Sequence, residues 1–363
     1  MTDRIAALRA VPGLRAGTTS ATRSNADLPV RTARGAKAWG TRFTALPAMI
    51  SVAICLLAAA RPVAAQETYL LVVTGVEGDA EHGDQFHKWA TSLIGAAEKK
   101  GGLSDANVTF LADKVERAPG KIRARSTSEN VRKAFMDLAE RARPSDEVFI
   151  VLFGHGSYDG RVAAFNLPGP DLTVQDYAML LGKIRSGRVV FVNTASSSGE
   201  FAKVLAGPGR TIVTATRTGG ERNEPRFPTY FVEALTGDGA DRDRNGRISV
   251  QEAFEYAKAK VQQAFEREGY VLSEHATLED GGAGAAGALY LESDRARSAE
   301  LANVANPALR AALEEKRQLE DQIAGLRLRK ASMPPEQYDQ ELEKLVTALA
   351  QKTRAIQQLE GKK

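Results

Sequence analysis

Two nearly unbroken apolar runs constrain the fold of this chain more than any other feature of its sequence. Residues 147–154 (EVFIVLFG) and 188–194 (RVVFVNT) lack the polar alternation of a half-exposed strand, so they are typical of central parallel strands covered on both faces. Similar runs, with helix-length amphipathic segments between them, occur near residues 68–76, 107–113 and 211–218. The pattern predicts an α/β domain over residues 66–290, with a doubly wound, mostly parallel sheet flanked by helices.

Residues 1–65 have the features of a basic n-region followed by a secretory signal. An apolar run at 45–60 follows a basic, Ser/Thr-rich stretch, and the small residues at 63–65 suit a signal peptidase. The run is shorter than the roughly twenty apolar residues of a membrane-spanning helix. We therefore expect cleavage after Ala65 and a periplasmic or secreted protein. The alternative is an uncleaved anchor, which would be the only route to a membrane.

The same segment explains the basic balance of the chain. Residues 1–65 alone have a net charge of +7, whereas the whole chain has +4, so the remainder is mildly acidic at −3. A protein that binds nucleic acid through its folded part needs a basic surface. The charge distribution therefore argues against a nucleic-acid partner.

The chain has one cysteine, and it lies in the apolar run of the signal. Removal of the signal takes Cys55 with it and leaves a mature chain with no thiol. Disulfides, zinc-thiolate sites and a cysteine nucleophile are then all excluded.

Two residues with catalytic chemistry follow the two central strands. His155 comes after the first run, next to Gly156, and Ser196 follows the second run. Because the carboxyl ends of parallel strands meet at one edge of a sheet, a base and a hydroxyl are expected there together. Backbone N–H groups near Gly156 and Ser196 would supply an oxyanion hole for acyl transfer. The structural alternatives are a histidine bonded to a loop carbonyl and a Ser196–Ser198 segment that caps the next helix.

The segments IVLFGHGS and VNTASSSGEF resemble the two signatures of the legumain-type and caspase-like cysteine peptidases. In that family one strand ends in His-Gly and the next ends in Ala-Cys-x-Ser-Gly. His155 matches the catalytic histidine, and Ser198 and Gly199 match the Ser-Gly pair. The nucleophile position falls on Ser196, where the family has cysteine, as in a bacterial envelope branch that lacks the thiol.

The resemblance implies a caspase-like fold over about residues 68–280 and two hypotheses for function. An alcohol needs a well-placed base to attack, whereas a thiol is partly ionised at neutral pH, so the replacement favours a degenerate peptidase that binds a peptide or protein ligand in its cleft. The second hypothesis is an active hydrolase that uses Ser196 with His155 as the base. Three arginines after the strand at 211–218 could contact an acidic or amide side chain of a peptide: Arg217, Arg222 and Arg226.

Residues 241–252 (DRDRNGRISVQE) match the twelve-residue calcium loop of an EF-hand. The side chains at the ligand positions and one backbone carbonyl, that of residue 247, supply the oxygens: Asp241, Asp243, Asn245, Arg247, Ser249 and Glu252. Gly246 stands where the loop turns sharply. The pattern predicts a structural calcium ion, and the alternative is an Asx-rich turn that caps the helix from Val250 without metal.

Residues 296–363 differ in composition from the rest and contain no strand signal. Apolar residues with one lysine recur at alternating spacings of four and three: Tyr338, Leu342, Leu345, Leu349, Lys352, Ile356 and Leu359. A rougher stripe runs through Leu309, Leu313, Leu319, Ile323 and Leu326, and the proline pair at 334–335 separates the two. This predicts a helical hairpin folded onto the domain or a coiled coil. The coiled coil gives the third hypothesis, an assembly protein that pairs with itself or with a partner.

Two further segments have structural predictions only. The Gly/Ala-rich residues 281–289 read as a loop or linker. His82 and His87 are five residues apart on a helix, a spacing poorly suited to zinc, which predicts a solvated face for both.

Overall fold

The computed structural model describes residues 66–280 and 284–361, and these residues form an α/β fold around a seven-stranded, mostly parallel sheet. The strands of this sheet are β1 (Thr68–Thr74), β2 (Val108–Ala112), β3 (Ala124–Arg125), β4 (Glu147–Phe153), β8 (Arg188–Asn193), β9 (Arg210–Thr214) and β10 (Thr277–Glu279). Their order is β10-β9-β8-β4-β1-β2-β3, and only β10 runs antiparallel to its neighbour. A smaller antiparallel sheet contains β5 (Gly156–Tyr158), β6 (Ala163–Phe165) and β7 (Leu172–Thr173).

Helices cover both faces of the large sheet, as the sequence pattern predicted. The described part of the chain contains nine: α1 (Ala80–Lys99), α2 (Ser128–Arg141), α3 (Val174–Leu181), α4 (Gly199–Leu205), α5 (Phe227–Thr236), α6 (Val250–Glu268), α7 (Asp294–Ala302), α8 (Pro307–Leu328) and α9 (Pro335–Glu360). Residues of α1, α5 and α6 pack in one apolar cluster, and residues of α2, α3 and α4 pack in the other. This arrangement is compatible with a caspase-like fold.

The alternation of side chains along the strands explains the two clusters. In β4, Phe149 and Val151 belong to the cluster on the α1 face, whereas Ile150 and Leu152 belong to the cluster on the α2 face. Every residue of β4 is buried. The absence of polar alternation in residues 147–154 therefore reflects a strand with no exposed face.

The tail forms a helical hairpin that packs on the domain. A short connection joins α8 to α9, and the ion pair between Glu315 and Lys352 shows that the two helices run antiparallel. Tyr338 and Ile356 of the heptad seam are buried, and no described residue of the seam is among the exposed ones, so the seam faces α8. The pattern thus serves an intramolecular contact.

The Gly/Ala-rich segment is more than a spacer. Residues 285–288 form a 3₁₀ turn whose alanines are buried, and this turn contacts both α6 and α8. Of the two predicted alternatives, loop or linker, only the linker is wrong for these residues, because the small side chains allow close helix packing. Residues 1–65 and 281–283 lie outside the described residues, so the prediction of a secretory signal is not addressed by the structure.

Candidate functional site

The carboxyl ends of β4 and β8 bring His155 and Ser196 to the same edge of the sheet. β4 and β8 are adjacent and parallel, with Leu152 opposite Asn193 in the register. One residue, Gly154, separates His155 from the end of β4. Two residues, Thr194 and Ala195, separate Ser196 from the end of β8. The strand-end argument from the sequence therefore places both residues in one neighbourhood.

Ser196 is held by the backbone of Gly156. Its hydroxyl donates to the Gly156 carbonyl oxygen at 3.2 Å, and the Gly156 N–H donates to Ser196 Oγ at 3.4 Å. The segments that contain Gly156 and Ser196 cross so closely that a Cβ on Gly156 would lie 2.2 Å from the Ser196 carbonyl oxygen. The glycine is thus required by packing, and its N–H, a candidate oxyanion-hole donor, is directed to the serine hydroxyl instead.

The His155 imidazole lies against aromatic rings of α1. Its centroid is 4.8 Å from that of His82 and 5.2 Å from that of Phe86, both in edge-to-face contacts. Within the described residues its ring nitrogens make no hydrogen bond, either with Ser196 or with a loop carbonyl. The base and the hydroxyl are therefore neighbours without being bonded to each other.

His82 lies beside His155 with 25% of its side chain exposed, so the prediction of a solvated face describes it only in part. Asp79 caps the N-terminus of α1 and bonds His82 Nδ1 at 2.8 Å, and Glu224 lies 3.2 Å from Nε2. The hydrogen bond that the His82 ring donates to the Asp79 carboxylate raises the pKa of His82, and Glu224 adds to this effect. In the observed sheet order β1 neighbours β4, so the start of α1, which follows β1, lies beside His155.

His87 lies one turn further along α1, away from this site. Its ring is 6.3 Å from that of Phe110, and burial lowers its pKa. The partly buried ring again differs from the predicted solvated face.

The segment after Ser196 is strained and tightly packed. Ser197 has a left-handed backbone with φ of 55° and is 2% exposed, and its N–H donates to the Glu221 carbonyl oxygen at 2.8 Å. A Cβ on Gly199 would lie 2.2 Å from the Arg217 carbonyl carbon. Ser198 occupies the cap position of α4 without a capping bond, so the helix-cap alternative does not describe these serines.

The three arginines have different environments. The Arg217 side chain is exposed and makes no hydrogen bond or ion pair with the described residues. Arg222 donates to the carbonyl oxygen of Tyr158, the last residue of β5, at 3.1 Å. This bond connects the loop after β9 to β5. Arg226 pairs with Glu268 at 2.7 Å and stacks on Phe265, so its charge already has a partner within the protein.

One buried carboxylate near the Ser196 segment was missed from the sequence. Glu274 is 7% exposed and accepts the N–H groups of Arg226 and Phe227 at 2.8 Å, at the start of α5. Burial raises the pKa of Glu274 to about 7. Its neighbour His275 bonds Glu221, whose carbonyl holds Ser197. No local pattern marks this residue, because its role depends on a contact between distant segments.

The loop of residues 241–252, called the acidic loop below, brings three carboxylates together. The oxygens of Asp241, Asp243 and Glu252 lie within 4.8 Å of one another, a group that could hold a metal ion. Partial burial of its carboxyl, with the charges of Glu252 and Asp241, raises the pKa of Asp243. A cation would relieve this crowding of negative charge.

The other ligand positions of the loop have partners within the protein. Asn245 donates to Asp243 at 2.9 Å, and Ser249 caps α6 in a reciprocal pair with Glu252. Gly246 has φ of 85° and makes the sharp turn. The Arg247 guanidinium points away from the carboxylates, because it stacks on Tyr290 and pairs with Glu292. Its positive charge is therefore neutralised outside the loop.

Comparisons with known proteins do not assign a family. No protein-family model matches this chain, and no curated protein matches it either. None of the helices in residues 66–280 and 284–361 is long and apolar enough to span a membrane.

Proposed function

We propose that this chain is an exported protein with a caspase-like peptidase fold whose cleft binds a peptide or protein segment without cleaving it. The observation that carries the proposal is the environment of Ser196. Its hydroxyl is bonded in both directions to Gly156, while the His155 ring packs against α1. A serine nucleophile needs a base within about 2.6–3.2 Å of its hydroxyl, and Ser196 has a backbone group there instead.

Arg217 supports the binding part of the proposal. It follows β9 at the same edge of the sheet, its backbone touches the Ser196 segment at Gly199, and its guanidinium is exposed. A free guanidinium in a cleft suits a carboxylate or amide side chain of a ligand. We therefore expect the ligand to present an acidic or amide residue near Ser196.

A labelling experiment separates binding from catalysis. We expect a fluorophosphonate probe to leave Ser196 unlabelled in the mature protein, with the same background in Ser196→Ala, His155→Ala and the exposed control Ser157→Ala. Labelling that is lost in Ser196→Ala and His155→Ala, but kept in Ser157→Ala, would contradict the proposal and identify a hydrolase.

A second experiment tests the ligand. Ten-residue fluorescent peptides that differ in one Asp, Asn or Lys would be titrated by polarisation against the protein. We expect the Asp and Asn peptides to bind and Arg217→Glu to weaken them about tenfold, which is about 1.4 kcal/mol. The exposed Arg161→Glu is the matched control.

The active hydrolase is the second candidate, and one observation favours it. Ser197, directly after the candidate nucleophile, has a strained left-handed backbone in a fully packed segment. Strain of this kind occurs at active sites, where the surrounding structure maintains it. A rotation of Ser196 away from Gly156 on substrate binding would be required.

We also propose that the loop of residues 241–252 binds calcium as a structural ion. The residues fit the ion: three carboxylates converge, and the backbone carbonyl of Arg247 and the oxygens of Asn245 and Ser249 are the remaining ligands of the pattern. The isolated bridge between Ser249 and Tyr290 gives this single loop a pairing partner within the domain. Bound calcium would neutralise the carboxylates and stiffen the start of α6.

The packing of the tail argues against the assembly hypothesis. The heptad seam faces α8 within the same chain, so pairing through that seam would require the hairpin to open. We therefore place the function of the protein in the α/β domain.

A further inference from the structure

The hairpin of α8 and α9 contacts the α/β domain over a small apolar area. Neither of the two apolar clusters contains a residue beyond Leu291. On α8, Ile323 and Leu326 are buried, and Arg327 donates to the Gly287 carbonyl oxygen at 3.1 Å, where α8 meets the 3₁₀ turn of residues 285–288. The hairpin thus meets the domain outside both apolar clusters, with one of its contacts at this turn.

Beside this attachment point, a cavity of about 470 Å³ separates the hairpin from the sheet. The hairpin contributes Ile323, Val346 and Leu349 to its wall, and Val346 is 47% exposed. Glu147 and Arg188, the first residues of β4 and β8, line the opposite side. The cavity therefore lies at the amino edge of the sheet, at the opposite end of the strands from Ser196.

Charged residues connect the hairpin to the domain across the rim of this cavity. We call the four residues Arg247, Arg297, Glu320 and Asp321 the latch. Arg297 Nη2 lies 3.2 Å from Asp321 Oδ1, and Arg247 Nη1 lies 3.8 Å from Glu320 Oε2. Arg247 belongs to the acidic loop and Arg297 to α7, whereas both acidic residues are on α8. Two guanidinium groups on one side thus face two carboxylates on the other.

The latch is only partly satisfied by hydrogen bonds. Among the described residues, Arg247 Nε, Arg297 Nε and Nη1, and Glu320 Oε1 are buried without a hydrogen-bond partner. Burial raises the pKa of Glu320 although Lys316 and Arg247 oppose it. Charged groups that lose water without full compensation stabilise a contact little, so the latch by itself is a weak contact.

The connection between α7 and α8 can serve as a hinge. α7 stays with the domain, because the N–H of Ser293 at its start donates to the Gly101 carbonyl oxygen at 2.6 Å. Residues 303–306, which follow α7, are outside any helix or strand, and α8 begins at Pro307. A change of backbone angles in this segment would move the hairpin as one body.

We propose that the hairpin is a lid over the cavity, hinged at residues 303–306 and held closed by the latch together with the contact of α8 at the 3₁₀ turn of residues 285–288. Opening exposes the apolar wall at Ile323, Val346 and Leu349 and uncovers Glu147 and Arg188 at the amino edge of the sheet. The proposal is independent of the function assigned to the cleft at Ser196.

Distances between two spin labels test the lid in the full chain. In a Cys55→Ser background, labels on Gln351→Cys of α9 and Lys133→Cys of α2 report the position of the hairpin by pulsed electron resonance, since both residues are exposed. We expect one short distance at low salt. In the double variant Glu320→Lys, Asp321→Lys, the ratio of long to short distances should rise by about tenfold or more, because each guanidinium then faces a like charge.

The control reverses two acids that lie outside the latch. Asp339→Lys, Glu343→Lys makes the same change in net charge at exposed positions of α9 and should keep the short distance. A latch variant with the distances of the unaltered chain, or a control that opens as far as the latch variant, would overturn the proposal. Should the latch variant fail to fold, a salt titration of the unaltered chain from about 0.05 to 1 M replaces it, and an unchanged distance there refutes the lid.

Discussion

Ser197 and Arg244 have the same unusual backbone conformation in two very different surroundings. They are the residues other than glycine with positive φ in the described part of the chain, at 55° and 57°. Ser197 is 2% exposed and its N–H is bonded to Glu221, whereas Arg244 is exposed in the acidic loop. The backbone of Ser197 is held by neighbouring backbone groups. Arg244 lies in a loop whose turns are stabilised by hydrogen bonds from backbone N–H groups to carboxylates.

The difference indicates how each site is prepared for a ligand. Around Ser197 the close contacts of Gly156 and Gly199 define the geometry before anything binds. In the acidic loop, the backbone N–H groups of Asn245 and Gly246 donate to Asp241, and the carboxylates repel one another. The site at Ser196 is therefore fixed by close backbone packing, and the acidic loop is a site whose stability depends on charge.

Gly156→Ala should break the rigid site with the largest effect. The new Cβ would lie 2.2 Å from the Ser196 carbonyl oxygen, and backbone on both sides must shift. We expect a loss of about 4 kcal/mol in the free energy of unfolding, measured by urea denaturation. Gly95→Ala is the control, because a Cβ there meets nothing within 4 Å in α1 and should stabilise by up to about 1 kcal/mol. Equal stability of the two variants would contradict the rigid crossing.

The buried carboxyl of Glu274 should make the stability of the protein depend on pH. Because the pKa of Glu274 in the folded protein is about 7, the folded state holds a proton that the unfolded state loses near pH 4.5. The free energy of unfolding should therefore fall by about 3 kcal/mol as pH rises from 4.5 to 7. Glu274→Gln should remove this part of the pH dependence, and Glu279→Gln should keep it. A free energy of unfolding that falls by the same amount in Glu274→Gln as in the unaltered protein would contradict this prediction.

Calcium bound to the acidic loop should raise the free energy of unfolding of the protein by slightly less than the change expected for Glu274. At about one hundred times its dissociation constant, a ligand that binds only the folded state adds about 2.7 kcal/mol. We expect this difference between denaturation curves with calcium and with chelator, and its loss in Glu252→Gln. The exposed Glu266→Gln is the control at the far end of α6. Identical curves with calcium and with chelator would exclude the structural ion.

Ser197→Gly should have the smallest effect and sharpen the comparison. Glycine adopts positive φ without the steric cost paid by serine, but it also has more freedom in the unfolded chain. We expect a net stabilisation of about 0.5 kcal/mol by urea denaturation, and a loss of about the same size for Ser157→Gly, whose residue lies in the extended strand β5. A destabilised Ser197→Gly would mean that the serine side chain supports the site.

The sequence was most informative where a feature depended on local pattern. The apolar run at 147–154 predicted β4, and the positions after β4 and β8 predicted that His155 and Ser196 share one edge. The stripe of the tail predicted two helices, although the choice between a hairpin and a free coiled coil required the structure.

The missed features depend on contacts between distant segments. His82 reaches the site because β1 and β4 are neighbours in the sheet, an order that no local signal encodes. Glu274 is a charged residue in a loop, and only the approach of α5 explains its burial. The alanines of residues 285–288 have the composition of a linker and become a contact surface only when α6 and α8 pack on them.

The two outermost strands of the large sheet are very short, and this protects the protein from growth into fibres. β3 has two residues and β10 has three, so each border offers few unpaired N–H and carbonyl groups to another molecule. The aggregation-prone strands β1, β4 and β8 lie in the interior of the sheet. A variant that lengthened either border with alternating valine and threonine would be expected to polymerise edge to edge.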